Sequence, residues 1–159
     1  KRMKRRHLRA DVIAAARRLR AARPDMVLGA DLIAGFPTED EARFRRTLEL
    51  VEEAGLTWLH VFPYAARPGT PAARMPQVPM ALRRERAARL RALGQARAEA
   101  FLRAQLGRRA RVLVEQGGQG YSEHYAPVRL DAAAGSLVEA RIERVEAGRL
   151  VARVLESVA

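Results

Sequence analysis

The chain contains 159 residues, has no cysteine and carries a net charge of +12. A hydrophobic content of 48% is typical of a folded protein. Without cysteine, these residues cannot form disulfides, thiolate nucleophiles or cysteine-bound zinc or iron–sulfur sites. No apolar run reaches the ~20 residues of a membrane-spanning helix, and no apolar segment follows the basic N-terminus as in a secretory signal. We therefore expect a cytoplasmic protein.

The excess positive charge is concentrated in two segments. Residues 1–24 hold ten Lys or Arg and one acidic residue, and residues 83–111 hold ten Arg and two acidic residues. A surplus of this size favours a polyanionic partner, and nucleic acid is the commonest one. The alternative is that these arginines form ordinary solvated helix surface.

The first part of the chain has the element order of an α/β domain. Helix-period and buried-strand patterns alternate over residues 10–23, 26–33, 38–54 and 57–62. Thr38 and Glu41 have the spacing of a capping box at the start of the second helix. His60 lies in the second strand, where we expect a buried core histidine. Since two strands do not form a stable sheet alone, we expect the missing strands to come from elsewhere and the chain to be part of a larger protein.

The second part changes from helical to alternating periodicity. A proline-rich loop over residues 63–78 leads into a long helix that ends near residue 106. A turn is predicted at residues 117–120, and strands are predicted over residues 110–115, 125–130, 137–145 and 150–155. Four or five short strands in this space indicate a small closed β-barrel of the kind that binds oligonucleotides. The fold class is therefore α/β followed by all-β.

Two loops follow the predicted strands, where parallel α/β folds place their functional groups. In the first loop, Gly35 permits close approach of a ligand to the backbone, and the following helix N-terminus favours an anionic or polar group. The second loop offers an aromatic ring at Tyr64, a guanidinium at Arg67 and a turn at Gly69 and Thr70. The alternative is that both loops are rigid connections in which Asp31 has a structural partner.

These loops also carry a resemblance to a known family. The segments 29–39 (GADLIAGFPTE) and 59–73 (LHVFPYAARPGTPAA) resemble the radical-SAM methylthiotransferases. Residues 3–7 (MKRRH) resemble the Met-x-Arg-x-aromatic segment that those proteins carry upstream, and the terminal barrel resembles their TRAM domain. Within the family, residues 60–64 and 74–78 are most similar to the branch that acts on threonylcarbamoyladenosine beside the tRNA anticodon. Arg67 favours a tRNA branch over the branch that modifies a ribosomal protein.

The resemblance implies a domain organisation. Residues 1–78 would be the C-terminal part of a radical-SAM domain with a partial TIM-type barrel. Residues 79–106 would be a connecting helix, and residues 107–159 an OB-like, TRAM-type RNA-binding barrel. Two alternatives remain at this point: a segment of a ribosomal-protein methylthiotransferase, or an RNA-binding protein that performs no chemistry.

The resemblance also implies cofactors and partners. The full-length family uses S-adenosylmethionine and two 4Fe-4S clusters, but the cluster-ligating cysteines are absent from this chain. The chain alone is therefore expected to be inactive and to contain no catalytic or metal-binding residue. Its expected partners are the anticodon stem-loop of tRNA and the N-terminal portion of the same enzyme.

The site residues follow from the same resemblance. Expected cofactor-binding residues are Asp31, Gly35, Phe36, Tyr64, Arg67, Gly69 and Thr70. Expected RNA-binding residues are Arg83, Arg84, Arg86, Arg108, Arg109, Tyr121, Tyr125 and Arg129.

Overall fold

The computed structural model describes residues 5–157, so part of the 3–7 segment lies outside the described residues. It contains α1 (Arg9–Ala22), β1 (Gly29–Ala34), α2 (Glu41–Glu53), β2 (Trp58–Pro63), a short 3₁₀ helix (Pro71–Arg74), α3 (Met80–Ala104), β3 (Arg109–Val114), β4 (Gln119–Ser122), β5 (Pro127–Arg129), β6 (Leu137–Glu146) and β7 (Arg149–Ser157). The chain divides into two compact units, Lys1–Arg97 and Ala98–Ala159. Within the described part, no helix is both long and apolar enough to cross a bilayer. The expected order of an α/β part followed by a β-barrel is confirmed.

In the first unit, β1 and β2 form a parallel pair that runs in register from Gly29 and Trp58 to Ala34 and Pro63. One face of this pair packs against the helices, in a core that includes Phe44, Val51 and Leu90. The other face was expected to be buried as well, and that expectation is wrong for the described residues. Asp31, His60 and Phe62 are exposed there, so the residues of this chain do not bury His60. Alternation of side chains along a strand explains the result, because only every second residue meets the helices.

The start of α2 also differs from the sequence prediction. The N-cap is Asp40, whose side chain accepts a hydrogen bond of 2.8 Å from the amide of Arg43. Thr38 lies two residues earlier with φ of 73°, in the left-handed region. The carboxylate of Glu41 reaches Arg89 of α3 at 3.2 Å rather than turning back to a cap. Glu41 is therefore paired with Arg89, a residue distant in the chain, and does not form the predicted capping box with Thr38.

Arginines attach α3 to the first unit. Arg91 donates to the backbone oxygen of Val61 at 3.0 Å, and Arg97 donates to that of Leu56 at 3.1 Å. Leu90 is fully buried on the same helix. Arg97 is half-buried and Arg91 is exposed, so part of the arginine-rich segment supports the fold through hydrogen bonds to the backbone. Each guanidinium satisfies a backbone oxygen, one within β2 and one just after α2.

The second unit contains a closed barrel with strand order β3-β4-β5-β7-β6. Inward side chains alternate along its strands, and Val112, Val114, Val128, Ile142 and Leu150 are almost completely buried. The predicted turn at residues 117–120 is partly wrong, because Gln119 and Gly120 begin β4. Gly120 reads as a turn residue in the sequence, but here it admits a neighbouring strand: a β-carbon on it would lie 2.3 Å from the backbone oxygen of Leu113.

Candidate functional site

A cavity of about 780 Å³ opens where β1 and β2 end. This volume is in the range of small-molecule binding sites. Its walls come mainly from the two loops that the sequence pattern had singled out. The lining residues are Arg5, Ile33, Phe36, Phe62, Pro63, Tyr64, Ala65, Arg67, Thr70, Pro71 and Ala72.

Two aromatic rings form one wall of the cavity. Phe36 and Tyr64 meet edge to face, with ring centroids 5.3 Å apart and an interplanar angle of 76°. The amide of Tyr64 donates to the backbone oxygen of Ala34 at 2.8 Å, which ties this wall to the end of β1. The Tyr64 hydroxyl is buried and has no hydrogen-bond partner within residues 5–157. A buried hydroxyl without a partner is costly, so this position is suited to a ligand that supplies one.

The loop that carries Arg67 and Thr70 is held by its own hydrogen bonds. The Thr70 hydroxyl donates to the backbone oxygen of Arg67 at 2.8 Å and accepts from the amide of Ala73 at 3.3 Å, which caps the short 3₁₀ helix. The Gln77 side-chain amide donates to the backbone oxygens of Ala72 and Met75. Internal hydrogen bonds therefore fix the shape of this wall of the cavity.

Arg83 is the residue that connects this loop to α3. Its guanidinium donates to the backbone oxygens of Val78 (2.6 Å) and Tyr64 (3.1 Å) and to the Gln77 side chain (3.1 Å). It also lies over the Tyr64 ring, 5.5 Å from the centroid. Arg83 is only 7% exposed. Because these donors are used inside the protein, the burial of Arg83 does not favour the expected contact with RNA phosphates.

Arg86 is buried in the same way beneath the first loop. It donates to the backbone oxygen of Glu39 at 2.9 Å and to the Glu39 carboxylate at 3.0 Å. The same carboxylate accepts from the amide of Gly35 at 2.9 Å. Burial raises the pKa of Glu39, while the Gly35 amide and Arg86 act in the opposite direction. Arg86 is 3% exposed, so its position does not favour the expected RNA contact either.

Of the expected cofactor-binding residues, Phe36, Tyr64, Arg67 and Thr70 line the cavity. Asp31, Gly35 and Gly69 do not. Asp31 lies exposed on the open sheet face, in register with His60. Gly35 lies against Arg83, and Gly69 occupies an open turn with φ of +82°.

The chain was also compared with known proteins. No protein-family model matches the sequence. A threonylcarbamoyladenosine tRNA methylthiotransferase of Rickettsia prowazekii is 47% identical over 150 residues, which cover 93% of this chain and 36% of that protein. Two tRNA-2-methylthio-N(6)-dimethylallyladenosine synthases are also similar. The synthase of Cereibacter sphaeroides is 40% identical, over 89% of this chain and 35% of that protein. The synthase of Erythrobacter litoralis is 41% identical, over 100% of this chain and 38% of that protein.

The chain belongs to the radical-SAM methylthiotransferase family. The resemblance seen in the two loops is thereby confirmed. Identity to the threonylcarbamoyladenosine enzyme is higher than to the two synthases, in agreement with the expected branch. The chain spans about a third of the length of these relatives.

Several residues of this cavity were missed by sequence reasoning. Arg5, Ile33 and Phe62 line it, and Glu39 supports it from below. Phe62 had a usable signal, because it alternates with the buried Val61 and so must face away from the helices. Glu39 had none, because its role depends on Arg86, which lies 47 residues away in the chain.

The remaining RNA candidates of this family member are exposed. Arg84 lies on the outer side of α3, and Arg108 precedes β3. Arg109 forms an ion pair of 3.1 Å with Glu139, and such an exposed pair leaves the guanidinium accessible. The other exposed candidates are Tyr121, Tyr125 and Arg129. Among residues 5–157, no three His, Cys, Asp or Glu side chains come close enough to hold a metal ion.

Proposed function

We propose that this chain is the C-terminal part of a tRNA methylthiotransferase that acts on threonylcarbamoyladenosine beside the anticodon. The observation that carries the proposal is the cavity built from the two family-specific loops. The 47% identity to a threonylcarbamoyladenosine tRNA methylthiotransferase supports this branch. Arg67, which the family resemblance associates with tRNA substrates, lines the cavity.

The cavity is suited to S-adenosylmethionine or to the target base. Phe36 and Tyr64 offer aromatic surfaces for a purine, Arg67 offers a cation for a carboxylate or phosphate, and the Tyr64 hydroxyl lacks a partner. When bound, S-adenosylmethionine supplies the radical and methyl chemistry of the family. The residues of this chain position the ligand and exclude water around it.

The two 4Fe-4S clusters do not fit this chain. Each needs cysteine ligands, and the sequence has none. In the full-length protein, the ligands would come from residues outside this chain. We therefore infer that the chain alone is inactive and that the N-terminal portion of the same enzyme completes the site.

The open face of β1 and β2 supports the same conclusion. Phe62 is 53% exposed on this face, beside Asp31 and His60. Further parallel strands from the same enzyme would cover it and extend the pair into the partial TIM-type barrel. Residues 1–78 would then be the end of the catalytic domain and residues 79–106 the connecting helix.

The barrel over residues 107–159 would bind the anticodon stem-loop as a TRAM-type module. Its exposed arginines include Arg108, Arg109 and Arg129, and Arg84 adds a further exposed cation on α3. Phosphate contacts of this kind release counterions, so affinity should fall with salt by a log–log slope of roughly −0.7 to −0.9 per phosphate. Reversing the charge of these four arginines should reduce both the affinity and the slope.

The proposed activity is tested with the full-length enzyme carrying Arg67→Ala, expressed in a bacterial strain that lacks its own enzyme. Mass spectrometry of tRNA nucleosides would show 2-methylthiolated threonylcarbamoyladenosine with the wild type and strongly reduced product with the variant. Arg74→Ala is the matched control, because Arg74 is exposed in the same loop but does not line the cavity. A wild-type enzyme that modified only dimethylallyladenosine or a ribosomal protein would overturn the proposal.

A further inference from the structure

Two tyrosines of the barrel unit form a stacked pair at the surface. The rings of Tyr121 and Tyr125 lie 4.8 Å apart between centroids, with an interplanar angle of 21°. Tyr125 is 72% exposed and Tyr121 is 38% exposed. One aromatic ring thus supports another whose surface remains largely open to solvent.

The backbone turn between the two tyrosines is built to present Tyr125. The Ser122 hydroxyl accepts from the amides of His124 and Ala126, both at 3.3 Å, and the Tyr125 amide donates to the backbone oxygen of Ser122 at 2.8 Å. Ser122 is 8% exposed. The turn holds Tyr125 at φ of 60°, a left-handed conformation that costs roughly 1–2 kcal/mol for a residue with a β-carbon. Strain of this kind at an exposed aromatic residue indicates a function.

The stacked pair continues into an exposed apolar strip across the strands. Leu113 of β3 pairs in register with Tyr121 on one side and with Leu137 of β6 on the other. Leu113 is 54% exposed and Leu137 is 39% exposed. We call Tyr125, Tyr121, Leu113 and Leu137 the outer strip.

Arginines flank the outer strip on the same strand. Arg111 and Arg109 precede Leu113 by two and four residues, so their side chains share its face of β3, and both are exposed. The backbone amide of Arg111 donates to the Glu123 carboxylate at 3.0 Å, which joins the turn to this strand. An open aromatic ring beside arginines is the arrangement that binds unpaired nucleotides, because bases stack on the ring and phosphates contact the cations.

We propose that Tyr125, supported by Tyr121, is a stacking platform for one unpaired nucleobase of the RNA substrate, with Arg111 and Arg109 contacting the adjoining phosphates. The inference rests on the proposed RNA-binding function of the barrel. An unpaired base is required, because a base within a duplex has both faces covered by its neighbours. The exposed guanidiniums of Arg111 and Arg109 favour RNA over an apolar protein segment as the occupant.

The test uses the full-length protein and an anticodon stem-loop RNA with 2-aminopurine placed in turn at each loop position and at one stem position. Wild-type protein should quench the fluorescence at one loop position and leave the stem position unchanged. Tyr125→Asn removes the ring, and asparagine tolerates the left-handed backbone better than alanine. This variant should lose the quenching and bind about 10-fold more weakly with an unchanged salt slope, because stacking releases few ions.

Two further variants complete the design. Tyr125→Phe keeps the ring and should keep both the quenching and the affinity. Leu106→Ala removes a comparably exposed apolar side chain outside the strip, so it should change neither.

The outcomes separate the inference from the function on which it rests. If wild-type protein binds no RNA, the RNA-binding function itself fails. If wild-type protein binds RNA and Tyr125→Asn binds it equally well, only the platform is overturned. A Tyr125→Asn variant with unchanged RNA affinity and an altered oligomeric state would identify the outer strip as a protein contact, which also overturns the platform.

Discussion

Arg83 lies directly behind Gly35. A β-carbon on Gly35 would lie 2.6 Å from Cγ of Arg83 and 3.1 Å from its Cα. Gly35 also has φ of +75°. The glycine of the first loop is therefore required by the helix beneath it, and this helix also carries the arginine that anchors the second loop.

Gly35→Ala should destabilise the protein more than Gly69→Ala. Both glycines have positive φ, so an added β-carbon brings a similar backbone cost of roughly 1–2 kcal/mol at either position. Gly69 has no atom within 4 Å of that β-carbon, whereas Gly35 has Arg83. We expect an additional loss of about 1–3 kcal/mol at Gly35. Equilibrium urea unfolding of both variants measures the difference, and equal losses would show that Arg83 moves aside freely.

Arg83→Met should reduce stability by roughly 3 kcal/mol, because it removes buried hydrogen bonds from a charged group to two backbone oxygens and to Gln77. Arg84→Met is the matched control: the neighbouring residue is exposed and should change stability by less than about 0.5 kcal/mol. Thermal unfolding followed by circular dichroism compares the two. Similar melting temperatures for both variants would contradict an internal role for Arg83.

The stability supplied by Glu39 should depend on pH. Because burial raises the pKa of Glu39, the folded protein keeps the proton over a range in which the unfolded chain has already lost it. The contribution of this group is complete below the ordinary glutamate pKa and declines as pH rises through the folded pKa. Glu39→Gln cannot titrate, so the stability of wild type relative to this variant should decline as pH rises above the ordinary glutamate pKa. A relative stability that rises with pH would mean that Arg86 and the Gly35 amide outweigh burial.

Thr38→Gly should be more stable than Thr38→Ala by about 1 kcal/mol. Thr38 has φ of 73°, a conformation that glycine adopts without the steric cost that a β-carbon brings. Both variants lose the threonine side chain, so their difference isolates the backbone cost. Urea midpoints measured at one protein concentration provide the comparison. An alanine variant as stable as the glycine variant would show that the loop relaxes out of the left-handed region.

Local patterns in the sequence predicted the elements and the position of the site. Periodicity placed the helices and most strands within a few residues, because the spacing of apolar side chains follows directly from helix and strand geometry. Tyr64, Arg67 and Thr70 stand out in a loop that follows a predicted parallel strand, Phe36 was expected from the family resemblance, and all four line the cavity. Because the sequence has no cysteine, the cysteine ligands of any iron–sulfur cluster must come from residues outside this chain.

The tertiary structure decided which of the arginines are exposed to solvent and which are used inside the protein. Arg83 and Arg86 share the face of α3 that carries the buried Leu90, whereas Arg84 lies on the exposed face. The roles of the two buried arginines depend on Tyr64, Gln77 and Glu39, which reach them only when the loops fold onto α3. The same holds for two other features. Glu41 pairs with the distant Arg89, and His60 is exposed because it lies on the sheet face away from the helices. Short-range periodicity determines which elements form, whereas the pairing of buried charges is set by contacts between elements that the sequence does not place side by side.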